Sequence, residues 1–321
     1  MSNGLTFSST SRVFWKTVCH LFKRHSKTAR AIRTRRIKRQ MPYDALQRAI
    51  WHALTIFEHF NPDINLLCLG SSHTIYGIAP KNFKQLHALN AGFNSGDAKL
   101  AYYTYQALRK HWPKAPRQAV VMSDDLWIGA HQIEFTSEFY HAVLVKHFAQ
   151  MPYDSNFLMA VHDRFVARHI HQFRDEGVPT SVLAEKGFIT NIPVQAAGNT
   201  PEGIATRVHG HIKRAFFKPT QLRYLTALKE AVEADGRQLI FLRFPVREDY
   251  LKALDSYPEK VWEPTDSVRK GCPLLDCFRM PLPPEALADV DHLSEIGARQ
   301  FTESIESQLL TLVNQTDQSA P

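Results

Sequence analysis

Ile64-Asn65-Leu66-Leu67-Cys68-Leu69-Gly70-Ser71-Ser72 decides the fold. The stretch from Ile64 to Leu69 is short and nearly continuously apolar, the pattern of a strand buried on both faces, and Gly70-Ser71-Ser72 closes it. Two further runs repeat the pattern, Gln118-Ala-Val-Val-Met122 and Gln238-Leu-Ile-Phe-Leu-Arg-Phe244, the second ended by Pro245. Upstream, Tyr43 to Phe60 carries Ala45, Leu46, Ile50, Ala53, Leu54 and Phe57 on one helical face, and Asn61-Pro62 ends it. Helical spacing fills the intervals between the runs, including a segment around Ala101 to His111. Strand–helix–strand order predicts a three-layer α/β/α fold with a mainly parallel sheet.

Open parallel sheets place their ligand sites beyond the carboxyl ends of the strands. Ser72 follows the first run, Asp124 and Asp125 the second, and Pro245-Val-Arg247 the third. Far downstream, Asp289-Val-Asp-His292-Leu precedes a final amphipathic helix that Ser294 can cap. Ala298, Phe301, Ile305, Leu309 and Leu312 form the buried face of that helix. A serine at a strand end and a late Asp-x-x-His turn are the two halves of a nucleophile–base–orienter arrangement. Ser72 is the candidate nucleophile, His292 the base that takes its proton, and Asp289 the group that fixes the imidazole tautomer. The plainer readings are a helix-capping serine and a histidine near a helix start. Asp291 is a rival orienter or a solvated carboxylate.

Composition narrows the class. The chain has 321 residues, 44% hydrophobic and 22% charged, enough for one large α/β domain. Its formal charge of +8 is uneven, because eleven basic residues and no acids precede Asp44. The remainder holds 28 basic against 31 acidic residues, so nucleic acid is not an expected partner. Residues 1–42 form a basic arm in which Phe14, Val18 and Leu21 recur at helical spacing. A solvated tail, an amphipathic helix on an anionic membrane surface through residues 12–39, and an organellar or RNA-binding arm all fit it. Neither a secretory signal nor a membrane-spanning segment is expected in the arm. Cys19, Cys68, Cys272 and Cys277 make no disulfide framework, which points to a reducing, cytoplasmic setting, with attachment at the inner face of a membrane as the arm's contribution.

Residues from about 131 to 235 are helical and His-rich, too long for a simple crossover, and are expected to be an insertion capping one sheet edge. His162, His169, His171, His209 and His211 lack the spacing of a known metal site, so neither metal nor cofactor is expected. The domain is expected to span residues 43–313, followed by a polar tail over 314–321.

These residues together resemble the SGNH (GDSL-like) hydrolase superfamily, with its flavodoxin-like α/β/α fold. Leu67-Cys-Leu-Gly-Ser-Ser72 looks like the first block, with Ser71 in place of the Asp of Gly-Asp-Ser. Asn90-Ala-Gly-Phe-Asn-Ser-Gly96-Asp97 looks like the second, and Asp289-Val-Asp-His292 like the last. The resemblance covers roughly residues 62–130 and 236–313. It implies Ser72, Asp289 and His292 as the catalytic set, with Gly96 giving an N–H to the oxyanion and Gly92, Asn90, Asp124 and His73 near the substrate. The third block departs from the family: Met122-Ser-Asp-Asp125 replaces Gly-x-Asn-Asp, and an ionised carboxylate cannot donate to an oxyanion.

The implied activity is a serine-dependent O-acyl esterase or acyltransferase acting on a small-molecule or glycan acyl ester, cell-surface polysaccharide included. The competing reading is a non-catalytic protein of the same fold, attached to a membrane surface or other polyanion through its arm. The oligomeric state is left open.

Overall fold

Strand β1 (Leu66–Leu69) lies inside a five-stranded sheet because all four of its side chains are buried, two toward each face. The computed structural model describes residues 43–94, 96–126, 172, 175–190, 199–215, 219–257 and 262–315. In chain order its main elements are α1 (Tyr43–Phe57), β1, α2 (Ser72–Gly77), β2 (Ala88–Asn90), α3 (Ala98–Leu108), β3 (Ala119–Ser123) and α4 (Thr180–Ala184). Then come α5 (Pro201–Ala215), α6 (Pro219–Ala234), β4 (Gln238–Arg243), α7 (Glu248–Leu254), α8 (Glu263–Arg269), β5 (Leu274–Asp276) and α9 (Glu295–Gln315). The described residues from Gln47 onward belong to one compact unit. The expected arm, residues 1–42, and the expected tail beyond 315 lie outside the described residues.

All four strand pairings are parallel, in the order β2-β1-β3-β4-β5. One face of the sheet, including Leu66, Cys68, Val121, Ile240 and Leu242, packs on Ala298, Phe301, Ile305 and Leu309 of α9. On the other side α3 and α6 pack together, with α6 against β4. This is the predicted α/β/α arrangement. Chain order reverses between β1 and β3, so the crevice at their carboxyl ends is the topological switch point.

Two expectations need correction. The segment read as an insertion to residue 235 includes α6, which is an ordinary crossover helix feeding β4; the insertion therefore ends before Pro219. Strands β2 and β5 were not anticipated, since Ala88-Leu-Asn90 and Leu274-Leu-Asp276 are too short to form an apolar run. Among the described residues, no helix is long and apolar enough to cross a membrane.

The start of α9 fixes the turn that carries His292. Ser294 Oγ accepts from Gly297 N at 3.1 Å and donates to the Glu285 carbonyl at 2.6 Å. A Cβ on Gly297 would lie 1.9 Å from the Ala286 carbonyl oxygen, a backbone atom that cannot swing aside. Gly297→Ala is therefore expected to lower stability by about 1–3 kcal/mol, as overpacking does. The denaturant midpoint checks this, and an unchanged midpoint would mean that the turn yields.

Candidate active site

The turn from β1 into α2 is built by three consecutive residues. Gly70 has φ +140°, and a Cβ there would meet Ser123 Oγ at 2.0 Å. Ser71 is the N-cap of α2, its side chain accepting from His73 N at 3.2 Å. Ser72 is the first residue of the helix, so its own N–H has no intrahelical acceptor. The capping role thus falls to Ser71, and the Ser72 hydroxyl is left for other work.

Across the crevice, the Asp289 carboxylate accepts from the backbone N–H groups of Asp291 (3.0 Å) and His292 (2.8 Å), tightening the turn into a single conformation. The same carboxylate has its two oxygens 2.9 and 3.0 Å from His292 Nδ1. His292 Nε2 lies 2.8 Å from Ser72 Oγ. Two carboxylate oxygens beside Nδ1 favour a proton there, which leaves Nε2 as an acceptor for the serine proton. Burial alone raises the Asp289 pKa, but hydrogen bonding and attraction to His292 outweigh it and hold the carboxyl below its ordinary value. Ser72 is only 8% exposed. All three residues singled out as a catalytic set meet at one point.

A second row of charge lies behind the first. The Asp125 carboxylate accepts from the hydroxyls of Ser71 (2.5 Å) and Ser123 (2.9 Å), and its other oxygen is 2.9 Å from His73 Nδ1. His73 Nε2 is 3.5 Å from Asp291, and the His73 ring stacks on His292 with centroids 4.9 Å apart. Burial by itself disfavours the His73 imidazolium, but attraction and hydrogen bonding to Asp125 and then Asp291 reverse this and push its pKa up to about 10. This surrounding favours the imidazolium form of His73, which is buried between the two carboxylates.

Asp291 is not the solvated carboxylate that one reading of the sequence expects. It is 1% exposed, with Arg207 Nε 2.6 Å from its carboxylate. Burial raises its pKa, but His292 and His73 outweigh this and, with His211, hold it well below the ordinary carboxylate value. Arg207 Nη2 also reaches Asp289 at 3.6 Å and His292 Nδ1 at 3.1 Å. Sequence reasoning did not find Arg207. It is one of 39 basic residues, and only the tertiary path of α5 brings it to the site.

The expected oxyanion and substrate contacts fare differently. Gly96 N donates to the Phe93 carbonyl at 2.7 Å, so it does not face the crevice as a free donor. Gly92 N donates to Asn90 Oδ1, and Asn90 Nδ2 binds the Thr74 and Ile78 carbonyls, each at 2.7 Å. Asn90 thus ties β2 to the end of α2. Asp124, just beyond the end of β3, pairs with Arg243 Nε at 2.7 Å and Arg269 at 3.4 Å. These four residues support the site's frame. Their polar groups are engaged by neighbours that sequence spacing cannot reveal.

Beyond the charged row is a cavity of about 690 Å³ at the carboxyl ends of β4 and β5, lined by Tyr257, Trp262, Phe278, Arg243, Asp276 and Arg279 among others. Its charges are paired internally, Arg243 with Asp276 and Arg279 with Asp255. Trp262 and Phe278 also wall a small void that touches His73, Asp125 and Asp291. Among the histidines considered for a metal, His211 Nδ1 is 2.7 Å from the Tyr250 hydroxyl and His209 Nδ1 is 3.3 Å from that of Tyr257. His162, His169 and His171 lie outside the described residues. Cys68, Cys272 and Cys277 are free thiols.

No family model and no curated protein matches the chain. Among solved structures it is similar to one described as "a putative platelet activating factor from Streptococcus pneumonia", at 14% identity and a TM-score of 0.39, covering 87% of this chain and 99% of that one.

Proposed function

We propose that this chain is a serine-dependent O-acyl esterase or acyltransferase of the SGNH type. The observation that carries the reading is the continuous relay from Ser72 Oγ to His292 Nε2 (2.8 Å) and from His292 Nδ1 to Asp289 (2.9 Å). Ser72 Oγ attacks the acyl carbonyl carbon as His292 Nε2 takes the hydroxyl proton. The tetrahedral intermediate collapses, the ester C–O bond breaks, and His292 returns the proton to the departing alkoxide. The acyl group on Ser72 then passes to water or to an acceptor hydroxyl, whose proton His292 takes in the same way.

Charge balance supports this cycle. Asp125, Asp289 and Asp291 face the cations His73 and Arg207, leaving one negative charge in excess until His292 is protonated. Proton transfer from Ser72 neutralises the cluster at the moment the oxyanion forms. Asp124, the carboxylate that stands where the family has a donating Asn, is offset by Arg243 at 2.7 Å and Arg269 at 3.4 Å. The Ser72 N–H is the oxyanion donor this chain supplies. The aromatic and internally paired lining of the 690 Å³ cavity suits an uncharged, polar moiety such as a glycan.

A second reading is favoured by one observation: Gly96 N is occupied and Asp124, an ion-paired carboxylate, cannot donate, so two of the family's oxyanion donors are missing. That reading is a non-catalytic binding protein, held on an anionic membrane surface by residues 12–39.

Intact-mass spectrometry after exposure to a fluorophosphonate probe separates the two. A stoichiometric adduct on the wild type, lost in Ser72→Ala and His292→Ala, is the expected result. A folded wild type that takes no adduct would leave the binding reading standing.

A further inference from the structure

We propose that Arg207, on α5 of the segment that sequence alone reads as an insertion, is a positioning residue that cancels the second carboxylate at His292. The inference rests on the triad reading. His292 is faced from its own turn by Asp289 at 2.9 Å and Asp291 at 3.7 Å, and from α2 by Ser72, His73 and the edge of Tyr76. Around Asp291 stand His73, Arg207 and, more distantly, His211 and Tyr250. One carboxylate is enough to orient the ring. A second one, left uncompensated, favours the imidazolium and leaves less neutral base to accept the serine proton.

Arg207 sits where it can prevent this. Its Nε is 2.6 Å from Asp291, and its Nη2 is 3.6 Å from Asp289. Nη2 also lies 3.1 Å from His292 Nδ1. A guanidinium always donates, so bonding to that nitrogen would demand the tautomer in which Nε2 carries the proton and cannot accept from Ser72. In the productive tautomer Arg207 therefore acts on the two carboxylates. The segment outside the family resemblance supplies the counter-charge of the centre.

The test is the rate of fluorophosphonate labelling of Ser72 in the full chain, followed from about pH 5 to about pH 9. Arg207→Met is expected to label about tenfold more slowly near pH 6 and close to wild type near pH 9, an acid limb displaced to higher pH. Asp291→Asn alone displaces it the opposite way, and Arg207→Met combined with Asp291→Asn brings it back toward the wild-type position. Arg207→Lys keeps the charge and restores most of the limb. If Arg207→Met fails to fold, the displacement of the limb to lower pH in Asp291→Asn and its return toward the wild-type position in the double variant decide. A uniform loss at every pH, or no change, overturns the inference while leaving the triad intact; a wild type that never labels overturns both.

Discussion

Replacing His73 with phenylalanine is expected to destabilise the protein by about 3–5 kcal/mol, the scale of leaving buried charge unpaired. His73 is the only cation touching Asp125 among the described residues, and both its ring nitrogens face carboxylates. Phenylalanine keeps the ring and the stacking on His292 and Phe244, so the loss reports the charge rather than the packing. The wild type carries a matching signature. The folded ring holds its proton to about pH 10, whereas the unfolded ring releases it near 6.5. The stabilisation is complete below pH 6.5, shrinks as the pH rises, and is gone once the pH passes about 10. Denaturant midpoints measured across that window should fall for the wild type and stay flatter for His73→Phe. A wild type with a level profile would mean that His73 is neutral and that Asp125 is balanced by something else.

Asp289→Asn is expected to slow reaction at Ser72 by about 10⁴ with little change in fold, because an amide can donate to Nδ1 and stabilise the wrong tautomer. Burst labelling or hydrolysis of an activated ester measures it. The size of the loss also decides between the two aspartates of the turn. Asp289 is 2.9 Å from Nδ1 and Asp291 3.7 Å, so a loss below about tenfold for Asp289→Asn would pass the orienting role to Asp291.

The nearly continuous apolar runs made β1, β3 and β4 legible in the sequence, since burial on both faces leaves no polar alternation to confuse them. The buried stripe of α9 was equally plain, although Val313 takes the innermost last position and Leu312 is only half buried. Ser72, Asp289 and His292 could be read because the local chemistry of each is specific: a turn after a buried strand, and an Asp-x-x-His spacing that closes on itself. What could not be read depends on partners distant in sequence. Asn90, Gly92 and Gly96 have the composition of an oxyanion loop, yet their hydrogen bonds go to Thr74, Ile78 and Phe93. Asp291 differs from Asp289 only by two positions, and only the packing of α5 and α2 makes it a buried ion. Arg207 had no local signal at all.

Ser72 and His292 stand 220 positions apart, on opposite sides of almost the whole sheet sequence. The loop that separates them closes only when α9 docks beside α2 and over the face of β1, β3 and β4. A chain whose first strands have paired but whose last helix has not docked holds a serine with no base. The Ser72–His292 contact is therefore a property of the finished tertiary structure and of no fragment of it. It is among the longest-range contacts of the fold, of the kind whose closure is slow because loop entropy is lost before the contact forms.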